Sequence, residues 1–573
     1  MLFTKLISKS VSKIHVFMIT IFCCGVTNIA IKSNAIAQPT TTNQQPAEDT
    51  FTITDVIFGE SRIYRDQDWE PYRRAIRWKD DMTVKRIEAI LEQLIVDLYI
   101  NKGYITSRVE LAQNGVDREN RIVKIDIFEG GLCNIILKPF KEEEGKEQRQ
   151  QKLIGLNDNY LIDRIQIPNT IPLSINRLED QLRLLKNDPQ FENVEFTLVP
   201  SEETEKCQHK SNFLRNSNII VRAKEANPLS ISTSINNYSP PSVGGEQVVV
   251  NASHQNLTGI GDRLSFNYNR SFTGGSNVYD FSYTTPLNPM NGSLNLRTAL
   301  TRSTITEAPF DRFGIAAKSQ LYEIQYRQPF IRSFVEEFAL SFGFTAKDGQ
   351  TFLFNNLATP FGFGADVNGI TRTSVFSFGQ DYLKRDEQGA WFFQSVFKLG
   401  TGLVNSTINQ SPIPDSRFLN WNFQGQRWQR INDDNLLILQ ADLQVTPDSL
   451  LPSEQFIVGG GQTLRGYRQS ARSGDNGLRF SAENRITLQR NGAGQSIFQI
   501  APFFNMGSVW NRDDNPNFLS GKNFLMSFGT GIIWEPLKNL NMRLDYAIPI
   551  TSIDDRGNNL QDKGINFSFN YKF

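Results

Sequence analysis

Residues 564–573 read GINFSFNYKF. In an extended chain successive side chains point to opposite faces. Ile565, Phe567, Phe569, Tyr571 and Phe573 therefore share one face, and Asn566, Ser568, Asn570 and Lys572 the other. One face suits lipid and the other water, the pattern of a strand in a transmembrane barrel. A soluble β-sandwich also alternates, so the stretch decides the fold only together with its surroundings.

Those surroundings repeat the pattern. NMRLDYAIP (541–549) places Met542, Leu544, Tyr546 and Ile548 on one face. Upstream, Phe-rich segments alternate with turn clusters such as NLTGIGD (256–262), SFTGGSN (271–277), TPFGFGADVNG (359–369) and NQSPIPDS (409–416). This character starts near residue 227, where helical periodicity fades. Residues 227–573 span 573 − 226 = 347 positions. At roughly twenty residues per strand and connection, that length holds about sixteen strands. Closure into a barrel removes the unpaired edges that so many strands would otherwise present. No stretch after residue 38 approaches the roughly twenty apolar residues of a helical span. Phenylalanine nevertheless occurs 42 times, at a mean hydropathy of −0.36. A lipid face diluted by a polar lumen face accounts for both.

Ahead of the barrel stand two smaller patterns. FTITDVIF (51–58) alternates, then Val84, Ile87, Leu91, Leu94, Ile95 and Leu98 recur at helical spacing, and TSRVELA and RIVKIDIFEG read as a strand pair. The order repeats in CNIILKPF (133–140), the charge run EEEGKEQRQQK, a helix with Ile175, Leu178, Leu182 and Leu185 on one face, and the strands VEFTLVP and NIIVRAKE. Ser174 is placed to cap that helix and Pro189 to end it. The predicted domains are 51–130, 131–226 and 227–573. Residues 38–50, polar and proline-bearing, form a flexible lead-in. Lys5, Lys9 and Lys13, the apolar IHVFMITIFCCGV and the small-x-small Ala35-Ile36-Ala37 mark residues 1–37 as a secretory signal peptide. Cys133 and Cys207 then lie in an oxidising compartment, where a disulfide and two inert thiols are both open.

Composition narrows the chemistry. Sixty basic residues balance sixty acidic ones, which gives no nucleic-acid footprint. Beyond the leader only His209 and His254 are histidines, too few with two cysteines for a close-set zinc site. His254, in NASHQNLTG, reads as a solvated turn residue at a strand boundary. No nucleophile–base pair, cofactor motif or metal site is evident, so no enzyme is expected.

One motif remains. Residues 458–468 read VGGGQTLRGYR. A nucleotide cradle would open a helix directly after a strand. Here turn-rich SARSGDNG and then the strand LRFSAENRITL follow, so a loop of about 458–476 is expected instead. LRGY within VGG…LRGY resembles the signature loop of the two-partner secretion transporters, the TpsB family of the BamA-like superfamily. LYINKGYITSRVELA, VKIDIFEG and PLSINRLEDQLRLLKNDPQFENVEFTLVP resemble that family's POTRA domains, and NLTGIGDRLSFNY and YDFSYTTPL its opening barrel strands.

The resemblance implies an outer-membrane pore with POTRA domains in the periplasm. It would export a large, typically β-helical partner (a TpsA-type exoprotein, haemagglutinin- or haemolysin-like) without nucleotide hydrolysis. A BamA-like insertase is the alternative. Phe573 resembles the signal by which the outer-membrane barrel assembly machinery recognises such chains for insertion into the lipid bilayer. The resemblance also implies a loop built on Gly460, Gly461, Leu464, Arg465, Gly466 and Tyr467 that folds into the barrel. Its arginine would meet a Phe-x-Asp-x-Gly strand motif, matched here by Phe503, Asn505 and Gly507. Asn505 replaces the acid, which leaves a neutral hydrogen bond in a wet lumen, and Glu483 stands where it could supply a carboxylate. Some members also carry an N-terminal plug helix and linker, for which residues 38–50 are too few. Something other than such a helix is therefore expected to plug the resting pore, the inserted loop being one candidate and the plug's identity staying open.

Overall fold

The computed structural model describes residues 50–79, 81–138, 155–165, 172–201, 217–519 and 521–573. The leader, most of the lead-in, the charge run of 142–152 and Cys207 lie outside the described residues. Among the described residues no helix is long and apolar enough to cross a membrane.

In the first module the strand Asp55–Phe58 pairs parallel with Ile122–Phe128, which pairs antiparallel with Arg108–Asp117. The helix Val84–Leu94 starts at Thr83, whose hydroxyl accepts the Arg86 N–H at 3.3 Å. Its 3.6-residue spacing turns Ile87, Leu91 and Leu94 onto the sheet, where they pack with Val56, Val123 and Ile125. Each such buried side chain stabilises the module by about 1.5–3 kcal/mol. A second helix, Glu70–Ile76, was not expected from the sequence. Its seven residues EPYRRAI are too short and too charged to show a period. Glu129, 5% exposed, accepts bonds from Ser61 Oγ, the Arg62 N–H and the Tyr99 hydroxyl. Burial pushes the Tyr99 phenol pKa up.

The second module's sheet runs in the order Leu132–Lys138, Ser217–Glu225, Phe191–Pro200. The helix Ile175–Lys186 opens with the Leu178 N–H donating to the Ser174 carbonyl and closes before Pro189. Cys133 is fully buried and disulfide-bonded. A further helix, Asp158–Ile165, was not foreseen.

The chain divides into two compact units. One comprises Met1–Gln151, Ile165–Leu182 and Val194–Ala223, and the other Lys152–Arg164, Arg183–Asn193 and Lys224–Phe573. In the second unit the two short segments seat on barrel turns. The Asn157 N–H donates to the Gly259 carbonyl at 2.7 Å, and Gln190 Nε2 to the Gly261 carbonyl at 3.1 Å. The Tyr160 hydroxyl donates to Asp188 Oδ2 at 2.7 Å, and the Arg164 guanidinium lies 3.5 Å from the Tyr160 ring centre. Gly261 has φ +81, and a Cβ there would stand 2.2 Å from that ring.

Sixteen antiparallel strands close the barrel. They are β1 (Leu229–Asn236), β2 (Gln247–Gln255), β3 (Arg263–Ser271), β4 (Ser276–Pro286), β5 (Ser293–Thr304), β6 (Ala316–Arg332), β7 (Glu336–Leu353) and β8 (Ile370–Asp386). There follow β9 (Gly389–Thr401), β10 (Leu419–Arg430), β11 (Asn435–Val445), β12 (Asn476–Arg490), β13 (Ser496–Trp510), β14 (Phe524–Leu537), β15 (Leu540–Pro549) and β16 (Ile565–Lys572). A two-residue spur, Leu357–Ala358, pairs with the top of β7. Phe342, Phe376, Leu544, Tyr546, Phe569 and Tyr571 are exposed on the outer face. Alternate positions face the lumen, where Arg297 pairs with Asp280, Arg327 with Glu337 and Asp381, and Arg479 with Asp442, all within 3.0 Å. His254 is a correction to the sequence reading. It lies within β2, half-buried between Leu229 and Leu264, where ladder pairing holds it rather than solvent.

The seam joins β16 to β1 from Ser568↔Asn236 to Lys572↔Ser232. Beyond it the Asn237 side chain stands in for a peptide group. Its Oδ1 accepts the Phe567 N–H at 2.9 Å and its Nδ2 donates to the Ile565 carbonyl at 2.9 Å. At the other end the Phe573 N–H donates to the Ile231 carbonyl at 3.0 Å, and the Phe573 ring, 70% exposed, meets Tyr571 edge-on.

Candidate functional site: the loop held inside the barrel

The connection from β11 to β12 covers residues 446–475, longer than the expected 458–476, and Asn476 already belongs to β12. The unexpected part, 446–457, is anchored by Leu450 and Leu451, both essentially fully buried. Glu454, 5% exposed, accepts from Lys347 Nζ on β7 at 2.7 Å. Phe456–Val458 then pairs antiparallel with Arg472–Gly474, a narrow hairpin carrying the LRGY stretch at its tip.

The glycines make the tip possible. Gly460 has φ +109, and a Cβ there would fall 1.9 Å from the Gln469 side chain. At Gly461 a Cβ would stand 2.5 Å from the Tyr238 ring and 3.0 Å from Asn566, so the tip lies directly against the seam. Gly466, φ +93, passes close over Ser527 and Ala547. Leu464, fully buried, packs with Val458, Tyr467, Val509, Leu525 and Ile553, and lies over Gly507, where a Cβ would approach it to 3.0 Å. The Tyr467 hydroxyl is 2.7 Å from the Met526 carbonyl and 2.9 Å from that of Thr551.

Arg465 is 6% exposed. Its Nη1 donates to Glu483 Oε2 at 2.7 Å and its Nη2 to Asn505 Oδ1 at 3.1 Å. Its guanidinium lies 3.4 Å from the Phe503 ring centre, within cation–π range. The structure thus brings Arg465, Phe503 and Asn505 together, with Gly507 beneath Leu464. Glu483 is shared further. Arg543 donates to it at 2.7 Å and Arg485 at 2.8 Å, and Arg543 also pairs with Asp545 at 2.8 Å. Three guanidiniums therefore meet two carboxylates, an excess of one positive charge. The expected wet lumen is absent here, since Glu483 is 7% and Asp545 0% exposed. Low local dielectric strengthens each contact and raises the cost of leaving any one unmade.

The outer part of the loop is held as well. Arg468 donates to Asp562 at 2.6 Å and to Glu307 at 3.2 Å, and Arg472 pairs with Asp555 at 2.8 Å. The Gln469 N–H donates to Gln561 Oε1 at 2.7 Å. Gln561 Nε2 in turn donates to the carbonyls of Asn237 and Ser239, each at 2.7 Å. Sequence reasoning missed Glu454, Arg543, Asp545, Asp562 and Gln561. A signal existed only for Arg543 and Asp545, two opposite charges on the polar face of NMRLDYAIP.

The barrel with its loop folded inward invites comparison with known proteins. A model of haemolysin secretion/activation proteins, ShlB/FhaC/HecB, matches residues 215–533, more than half of the chain. The chain belongs to this family. A model of the ShlB-type POTRA domain matches residues 51–130 of the transporter. The outer membrane transporter CdiB of Dickeya dadantii (strain 3937) is 19% identical over 465 residues, 79% of this chain and 75% of its own. Among solved structures, CdiB from Escherichia coli has a TM-score of 0.67 at 18% identity, covering 94% of this chain and 93% of its own. BamA from Haemophilus ducreyi lacking POTRA domains 1–3 has a TM-score of 0.52 at 16% identity, covering 92% and 100%. The transporter is thus a two-partner secretion barrel of the outer membrane, with POTRA domains in the periplasm.

Proposed function

We propose that the transporter exports one large exoprotein, held unfolded by the POTRA modules and threaded through the barrel after loop 446–475 leaves the lumen. The observation that carries this reading is the loop itself. It is held by ion pairs and polar bonds at Lys347, Glu483 and Asp562 and by one small apolar cluster, contacts that can be released and reset. Paired charges along the lumen wall suit passage of an extended polypeptide, whose backbone can exchange hydrogen bonds with them. The strands Arg108–Asp117 and Phe191–Pro200 are outer strands of their sheets and can accept an extended client by β-augmentation. Folding of the client outside makes passage one-way without a nucleotide. Residues 1–37 serve as the export signal, and Phe573 serves in recognition by the barrel assembly machinery.

The test compares secreted and outer-membrane proteins in cells with and without the chain. Loss of one or two large exported proteins from an otherwise unchanged outer membrane supports export. Depletion of many barrel proteins supports the insertase alternative instead.

A further inference from the structure

The outer wall of β3–β7 carries a feature that export does not use. Cross-strand register aligns Arg270, Asn277, Arg302 and Lys318 in one row. Their parity matches Tyr268, Tyr279, Leu300 and Tyr322 on the same strands, so the row faces outward at the end of the strands remote from the chain's entry to the barrel. Arg270, Arg302 and Lys318 are exposed. Among the described residues the Arg270 guanidinium hydrogen-bonds the neutral Asn277, and Lys318 lies 4.8 Å from the Phe352 ring centre. The nearby carboxylate on this face, Asp348, is already paired with Arg372. Arg302 and Lys318 stand directly opposite each other, a like-charge pair that costs stability unless an anion lies between them.

Below this row the same strands form a groove of about 410 Å³. Phe281, Leu296, Tyr322, Ile324 and Phe344 wall it, and the small side chains of Thr298 and Ala346 leave it open. Thr298 precedes Arg302 by four positions on one strand, about 13 Å along it. That offset places the groove below the cations, where an acyl chain hanging from a head group held by them would pass.

We propose that this wall is a binding site for an anionic, phosphate-bearing lipid of the outer leaflet, with Arg302 and Lys318 on the head group and an acyl chain in the groove at Thr298 and Ala346. Charge complementarity selects the head group, and the apolar groove distinguishes a lipid from a free anion.

Native mass spectrometry of the full chain in detergent tests it, with three probes: a diphosphorylated glycolipid, its dephosphorylated form and inorganic phosphate. The diphosphorylated lipid is expected to remain bound one to one, the dephosphorylated form to bind far more weakly, and phosphate in excess to leave the lipid in place. Removing both cations in Arg302→Gln/Lys318→Gln should weaken binding by about five-fold per cation, about twenty-five-fold together. Ala346→Phe, which fills the groove and keeps the charges, should weaken it independently. Heat-modifiable gel migration verifies that each variant is a folded barrel. Equal binding by the double-cation variant overturns the proposal, as does displacement of the lipid by phosphate alone. A mass of two chains without lipid overturns it in favour of a contact between copies.

Discussion

Replacing Asn505 with aspartate supplies the carboxylate that the Arg465 cluster lacks and equalises its three positive and two negative charges. Asn505 Oδ1 already accepts from Arg465 at 3.1 Å and from Ser481 Oγ at 2.9 Å, so the new carboxylate needs no rearrangement to be used. The bond lost, Asn505 Nδ2 to Ser527 Oγ, is long at 3.5 Å. Two unit charges 3.1 Å apart attract by about 5 kcal/mol at an effective dielectric of about 20, an upper limit before desolvation. The net gain is smaller. A hydrogen bond to an ionised partner contributes about 1.5–3 kcal/mol against about 0.5–1.5 for a neutral one, a difference of about 1 kcal/mol. The retained loop should therefore gain about five-fold in population over the displaced one. Single-channel recording in planar bilayers reads that ratio directly, as a ratio of open to closed time about five-fold lower for Asn505→Asp. Glu483→Gln moves the other way, because three guanidiniums lose a shared buried carboxylate at a cost of about 3–5 kcal/mol. An Asn505→Asp pore that opens as often as its parent, or more often, would refute the charge argument.

Other expectations concern different parts of the chain. Gly461→Ala drives a Cβ into the Tyr238 ring and should displace the loop tip, read as more frequent channel opening in a barrel that still shows heat-modifiable migration. Gly261→Ala forces a left-handed backbone and a clash with Tyr160, and should loosen the segments seated on the turns, seen as faster proteolysis around residues 155–164 with the barrel intact. Leu91→Ala opens a cavity in the first module and should destabilise it by about 2–5 kcal/mol, measured by chemical denaturation alongside loss of client export.

Much of this architecture was legible because a barrel writes itself as period two. GINFSFNYKF and NMRLDYAIP became β16 and β15, with their aromatic and aliphatic residues outside and Asn566, Arg543 and Asp545 inside. The first module's long helix was legible for the same reason, one apolar stripe against a sheet. The helices Glu70–Ile76 and Asp158–Ile165 were not, since eight residues or fewer with several charges barely complete two turns of a pattern. Arg465 stood out because it sits in a motif. Phe503, Asn505 and Glu483 could be placed near it from the sequence, but Arg543 and Asp545 could not, because they come from β15, far along the chain, and reach Arg465 only when the barrel closes. Glu454 and Gln561 occupy loops without any period, and nothing local separates them from solvated residues.

The bond chain Gln469–Gln561–Asn237 has a mechanical consequence. Asn237 carries the last rung that fastens the end of the barrel to its beginning, and Gln561 steadies Asn237 while holding the loop. The circumference of the wall and the occupancy of its interior are thereby linked variables. By reciprocity, whatever free energy the loop lends to closure of the ring, the closed ring returns to the loop. A cross-link that clamps β1 to β16 should slow the loop's departure, and a loop tethered in place should make the ring harder to tear. The hoop and its filling bear load together.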